Sequence, residues 1–304
     1  MDGSVGHNVG AGACENKHWP QAVGPGFASK GNLPPRPGFQ LPAYQLARSA
    51  ITPTTNRAFS YRLPFLLTCS PLLPLTLPAL LRRHQAYFSP VLPVDLNGPA
   101  VNRLDFTANN PLVAEADLRD TADFARLVDS LLAARHATIG VGGYLENRVI
   151  YRRSQHFGPG AAPEARSLHL GVDVWLPAGM PVLAPMPATV HSLADNNHFG
   201  DYGPTVILEH NLEGTVFYSL YGHLSRREWR ALRVGQALAK GEAFATVGPF
   251  PENGDWPPHL HFQLMADLQG RTGDFPGVAR PSECEVWAAL CPDPNLLLQS
   301  DRLR

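Results

Sequence analysis

Net charge is what this chain most lacks. Its 25 Lys and Arg are balanced by 26 Asp and Glu, leaving −1 at neutral pH, so there is no basic field to hold nucleic acid or an anionic membrane by long-range attraction. Binding to a wall polymer would have to be short-range. Cysteine is scarce as well. Cys14, Cys69, Cys284 and Cys291 show neither the spacing of a zinc ribbon nor that of a redox Cys-x-x-Cys motif. Free thiols are expected, with a Cys284–Cys291 disulfide as the alternative. An unbroken hydrophobic run is also missing. The nearest approach, LPFLLTCSPLLPLTLPALL at residues 63–81, is interrupted by Pro64, Pro71, Pro74 and Pro78, and each proline in a helix interior costs roughly 3 kcal/mol. No stable membrane span is expected. The segment begins too far from Met1 for an ordinary signal peptide, and Thr68 before Cys69 suits lipoprotein processing poorly. A cytoplasmic location is therefore favoured over the cell envelope, which would require a later start that makes this segment a secretion signal.

What is present divides into three stretches. With 304 residues, 44% apolar and 17% charged, the chain has the composition of a globular core in one large or two modest domains. Residues 1–60 are rich in Gly, Pro, Asn and Ser without a sustained period and read as a disordered or non-functional leader, so His7 and His18 receive no chemistry. Residues 61–155 read as a small α+β N-terminal extension. It holds a short apolar helix from Leu77 to Phe88, an extended stretch from Val101 to Ala108, and a helix capped by Asp120 or Thr121. In that helix Phe124, Leu127, Val128, Leu131 and Leu132 recur at helical spacing. ATIGVGGY and RVIY (Arg148 to Tyr151) then read as a glycine-rich strand pair. The extension is expected to pack on the following core, with a regulatory cover over a cleft as the alternative. Residues 156–304 are dominated by short strands with Gly and Pro turns, ending in a helix around Glu283 to Leu290. The fold class expected is mainly β, an antiparallel β-sandwich or open barrel.

Three strings in that core concentrate chemistry: HLGVD (His169 to Asp173), YGHLS around His223, and PPHLHFQL around His259 and His261. Strand side chains alternate with period 2, so His169 with Asp173, and His259 with His261, converge if their segments are extended. Val172, Val174 and Trp175 favour a strand around Asp173, and Gly171 and Pro177 disfavour a helix. One carboxylate and four imidazoles are what a mononuclear zinc hydrolase needs: three protein ligands, an open position for water, and neighbours to move its proton.

These strings resemble the lysostaphin-type or LytM-like zinc metallopeptidases, also called duplicated-hybrid-motif proteins. The resemblance covers roughly residues 166–268 and extends to PAGMPVLAPMPATVHSL, PTVILEHNLEGTVFYSLYGHLS and VGQALAKGEAFATVG. It implies one zinc per chain held by His169, Asp173 and His261, with His223 and His259 as catalytic residues. It implies an endopeptidase that uses zinc-bound hydroxide on the peptide portion of peptidoglycan or on another peptide. The chain departs from the family pattern at Gly203-Pro204 and in the loop PFPENGDWPP (Pro249 to Pro258), expected as one wall of the cleft. Those departures bear on substrate choice rather than on the metal chemistry.

A competing reading is a non-catalytic barrel-sandwich binding or carrier module. Carriers need a lysine at a hairpin tip, and Lys240 instead precedes a Gly-Glu turn. Another is a dead family member acting as an amidase activator, but those lose zinc ligands that this chain keeps. His84, His136, His156, His191, His198 and His210 are read as hydrogen-bonded core histidines rather than ligands. Tyr221 and Tyr202 are candidates to approach the scissile carbonyl, and Trp256 and Phe250 to line an apolar subsite, each against a plain packing role.

Overall fold

The computed structural model describes residues 75–158 and 165–304. The leader at 1–60, residues 63–74 of the apolar segment, Cys14 and Cys69 lie outside the described residues. Among those described, no helix is long and apolar enough to cross a membrane.

Among the described residues, short runs of β-branched and aromatic residues between turn residues become twelve strands. In chain order they are β1 Val101–Leu104, β2 Ile139–Gly142, β3 Leu168–His169, β4 Val172–Trp175, β5 Pro181–Leu183 and β6 Ala188–Asn196. They continue with β7 Gly203–Leu212, β8 Thr215–Gly222, β9 Ala237–Leu238, β10 Ala243–Thr246, β11 His259–Met265 and β12 Val278–Ala279. The helices are α1 Leu77–Arg83, α2 Pro111–Ala114, α3 Thr121–Ala133, α4 Arg226–Trp229, α5 Cys284–Leu290 and α6 Asn295–Leu298.

Eight strands make one sheet in the order β1-β2-β4-β11-β8-β7-β6-β9. Its pairings are antiparallel except that β1 and β2 run parallel. β5 with β10, and β3 with β12, form two small antiparallel sheets. The fold is thus mainly β and largely antiparallel, as the strand pattern predicts. Two of the sheet's strands, β1 and β2, come from residues 61–155, the stretch the sequence sets apart as an extension.

Period-2 alternation sorts the two faces of the large sheet. Val172 and Val174 of β4, Leu260, Phe262 and Leu264 of β11, and Phe217 and Tyr221 of β8 point into one core. Val182 of β5 with Phe244 and Ala245 of β10 cover that face as a second layer. Asp173, Trp175, His259, His261 and Gln263 occupy the alternate positions, so the core face and the chemical face are fixed by the same alternation. Burying an aromatic or aliphatic side chain of this kind contributes roughly 1.5–3 kcal/mol, enough to hold the register against a one-residue slip.

α3 begins where Asp120 caps it, its carboxylate accepting from the N–H groups of Ala122 at 2.7 Å and Asp123 at 3.0 Å. Phe124, Val128 and Leu132 are its buried stripe, and the Phe124 ring meets those of Phe106 and Trp175 at 6.1 and 5.7 Å. That contact packs α3 against the face of β4 that carries Trp175 and Asp173. RVIY departs from its expected strand: Ile150–Arg153 is a 3₁₀ turn. Ile150 and Tyr151 are both buried in one cluster with Phe157 and Trp256. A strand would have sent these two neighbours to opposite faces.

Cys284 and Cys291 are free thiols. They stand seven residues apart along α5 and its C-cap, about 10 Å at helical rise, beyond the reach of a disulfide. His210 is structural, as the sequence suggests. It is buried on β7, stacks on Phe217 with ring centroids 5.0 Å apart, and its Nε2 lies 2.7 Å from Ser219 Oγ. Burial pushes its pKa down to about 4. The folded value lies below the unfolded one, near 6.5, so the stability held at neutral pH is lost as pH falls from about 6.5 towards 4. The expected loss is about 3 kcal/mol at the lower end. Thermal melts across that window should show a shallower fall in Tm for His210→Gln than for the unmodified chain; parallel curves would count against the assignment.

Candidate metal centre and active site

The HLGVD string does not stay in one strand. His169 ends β3, which pairs with β12, and Asp173 sits in β4 between β2 and β11. The chain changes sheets at Leu170-Gly171. A Cβ at Gly171 would fall 2.5 Å from the His261 Cε1, so the glycine leaves the space that the imidazole fills. Across the β4–β11 ladder Asp173 is the direct partner of His261. Register, rather than sequence proximity, therefore delivers the third member.

His169, Asp173 and His261 converge through one atom each. His169 Nε2 lies 3.0 Å from His261 Nδ1 and 3.3 Å from Asp173 Oδ1, and His261 Nδ1 lies 3.1 Å from that oxygen. All three residues are at most 3% exposed. The protons of both rings are committed elsewhere. His169 Nδ1–H donates to the Gly143 carbonyl at 3.1 Å. The Gln263 amide N–H donates to the Pro276 carbonyl at 3.1 Å, which turns Gln263 Oε1 towards His261 Nε2–H at 3.0 Å. What faces the centre of the triangle is therefore two imidazole lone pairs and a carboxylate oxygen. Buried acceptors converge in this way around a cation. For ligands about 2.0–2.1 Å from a tetrahedral zinc, neighbouring donor atoms lie about 3.3–3.4 Å apart, close to the edges seen.

The two remaining histidines stand beside the triangle. His223 leaves the end of β8 with φ +63, a left-handed conformation that is strained for a residue with a side chain. It is pinned by backbone bonds from His223 N to Tyr202 O at 2.7 Å and from Gly248 N to His223 O at 2.8 Å. His223 Nδ1–H donates to the Asn253 carbonyl and His259 Nδ1–H to the Pro257 carbonyl, each at 2.8 Å. A carbonyl can only accept, so both rings keep Nε2 basic. The two ring centroids are 4.2 Å apart, and His259 Nε2 is 4.0 Å from Asp173 Oδ1. His259 also stacks on Trp175 at 4.0 Å.

Burial keeps the His169, His223 and His259 imidazoles neutral. It pushes His169 down to about 3 and His259 to about 4, and holds His223 well below its ordinary value with the help of His259. For Asp173, burial works to raise the pKa, but its contacts with His169, with the Arg148 guanidinium and with His259 hold it well below the usual carboxylate range. Neutral imidazole and ionised carboxylate are the forms that ligate a metal.

A cavity of about 180 Å³ opens onto Asp173, His223, His259 and His261, with Tyr202 and Trp256 in its walls. Tyr202, one of the two tyrosine candidates, has its hydroxyl 3.5 Å from His261 Nε2. Tyr221 is not at the site. It lies on the core face of β8, with Phe244 and Phe262 at 5.0 and 5.3 Å. The loop from Pro249 to Pro258 contributes Trp256 to the cavity and, through Asn253 and Pro257, the carbonyls that hold both histidines. Phe250 is 53% exposed and does not line the cavity. Sequence reasoning did not pick out Gln263, Trp175, Gly143 or Arg148. Gln263 and Trp175 carried a usable signal, since each lies two residues along a strand from a site residue, on the same face. Gly143 and Arg148 carried none.

The sheet thus brings together a buried histidine–aspartate cluster that could hold a metal ion. Residues 167–273, about a third of the chain, match the model of Peptidase family M23. A protein described as an uncharacterized metalloprotease of Haemophilus influenzae is 35% identical over 96 residues, covering 32% of this chain and 18% of its own length. The chain thus spans under a fifth of that relative. Among solved structures, the catalytic domain of the antimicrobial peptidase lysostaphin from Staphylococcus simulans is 24% identical over 39% of this chain and 79% of its own, with a TM-score of 0.28. A zinc-containing peptidase from Vibrio cholerae is 24% identical over 34% of this chain and 31% of its own, with a TM-score of 0.26.

Proposed function

We propose that this chain is a zinc-dependent metalloendopeptidase acting on the peptide portion of peptidoglycan. The observation that carries the metal is the buried triangle of His169 Nε2, Asp173 Oδ1 and His261 Nδ1, whose ring protons are both spent on other acceptors. These three residues would hold one zinc. Bound there, zinc supplies a Lewis acid that polarises the scissile carbonyl and acidifies a water.

The chain's own residues then handle the protons. His223 and His259 each offer a basic Nε2, and their Nδ1–H groups stay on the Asn253 and Pro257 carbonyls. One of the two accepts the proton of the attacking water, and those carbonyls stabilise the imidazolium that results. The other, when protonated, donates from Nε2 to the oxyanion. The accepted proton passes to the leaving amine, so that water and peptide give a carboxylate and an amine. The Trp256 and Tyr202 walls limit water around the reacting carbonyl. The family resemblance and the match of residues 167–273 to the M23 model support the substrate assignment.

The experiment is mass spectrometry of purified peptidoglycan and of a mixed peptide library after incubation with zinc-loaded protein, with His259→Ala as control. New amine termini from the wall, absent with the variant, are expected and would name the bond. Cleavage confined to the library would move the substrate to other peptides. No cleavage of either would favour a binding module.

A further inference from the structure

The triangle has an outer layer, and two of its three members come from outside the segment that matches the peptidase family. His261 is oriented by Gln263, within residues 167–273. His169 is oriented by the Gly143 carbonyl and Asp173 by Arg148, both in the stretch that follows β2. Arg148 is 1% exposed. Its Nη1 donates to Asp173 Oδ2, and its Nε donates to Glu146 Oε2 at 2.8 Å. The Phe106 ring lies beneath the guanidinium, with the centroid 5.5 Å from Cζ. Asp173 is therefore divided: Oδ2 is taken by Arg148, and Oδ1 alone stands on the triangle.

From this division we infer that Arg148 is a positioning residue of the metal centre, holding Asp173 to one-oxygen ligation and aiming that oxygen. The inference rests on the zinc reading above. A carboxylate free at both oxygens can swing to chelate a metal through both, whereas a guanidinium on one oxygen fixes the plane of the group and leaves a single lone pair forward. Glu146 takes the guanidinium's Nε, so one buried positive charge faces two carboxylates, and only Nη2 is left without a hydrogen-bond partner. Gly142 provides the room. It is the β-ladder partner of Asp173, and a Cβ placed on it would come 2.5 Å from Arg148 Nη2. Strand β2 thus does more than widen the sheet: it carries the bare position that the guanidinium needs and leads into the loop that supplies it.

The test uses the full chain with Arg148→Met and, separately, Gly142→Ala, which crowds the guanidinium without removing a buried charge. Zinc affinity is read by chelator competition at one pH, and coordination by the visible spectrum of the cobalt-substituted protein. Arg148→Met is expected to weaken zinc binding about 10–100-fold. Its cobalt absorption should drop in intensity as Asp173 gives both oxygens to the metal. Gly142→Ala should move both readouts the same way by a smaller factor, and it decides the matter if Arg148→Met does not fold. Variants with lower Tm but unchanged zinc affinity and cobalt spectrum would reduce Arg148 to a structural ion pair and overturn the inference. An unmodified chain that binds neither metal would overturn the zinc reading itself, and the inference with it.

Discussion

His261→Ala should leave the protein without zinc. Three protein donors converge at the triangle, and this substitution removes the one that β11 sets directly opposite Asp173. Structural zinc in zinc-finger peptides binds with apparent free energies of roughly 10–16 kcal/mol, a scale for the metal here. If the three ligands share that evenly, losing one costs about 4 kcal/mol, on the order of a thousandfold in Kd. Metal content after dialysis against a weak chelator, measured by mass spectrometry, gives the result directly. One equivalent of zinc retained at unchanged affinity would refute the ligand assignment.

His259→Ala should do the opposite, keeping the metal and losing turnover. Its Nε2 is 4.0 Å from Asp173 Oδ1 and belongs beside the triangle rather than on it, while its Nδ1–H is held by the Pro257 carbonyl. Removing a general acid or base of this kind costs about 10²–10⁴-fold in rate, or roughly 3–5 kcal/mol in barrier height. Zinc affinity should stay within about threefold of the unmodified chain, well inside one 1.4 kcal/mol decade. His223→Ala should behave in the same way, since its ring lies 4.2 Å from that of His259 and shares its tautomer. Parallel zinc titrations and turnover assays separate the two classes of histidine. If His259→Ala lost its metal, the division between ligands and catalytic residues would be wrong.

Much of this site was legible in the sequence because its parts are local patterns. HLGVD, YGHLS and HLH are short strings whose meaning depends on residues a few positions apart, and the alternation through Leu260, Phe262 and Leu264 announces which face His259 and His261 take. Asp120 and the Phe124, Val128 and Leu132 stripe announced α3 in the same way. The expectations that differ from the structure are those in which a local pattern was overruled by a remote contact. RVIY has strand composition, but Ile150 and Tyr151 bury together with Phe157 and Trp256, and a 3₁₀ turn allows that. Tyr221 stands two residues from His223, yet the β8 register commits it to the core beside Phe262.

The sequence by itself determined the chemical inventory of this protein: a mainly β core, a carboxylate and four imidazoles at the spacings of the zinc metallopeptidases, and a neutral chain without a charged field. Side-chain alternation and turn preference follow from the covalent geometry of neighbouring residues, and that is why they can be read from a string. Only the tertiary structure decided which nitrogen of His169 and of His223 is left free, which oxygen of Asp173 is held back by Arg148, and that the stretch after β2 completes the site. Those facts depend on groups 25 to 92 positions apart in the chain. A tautomer is set by the carbonyl its other nitrogen meets, and that meeting exists only once the strands have paired.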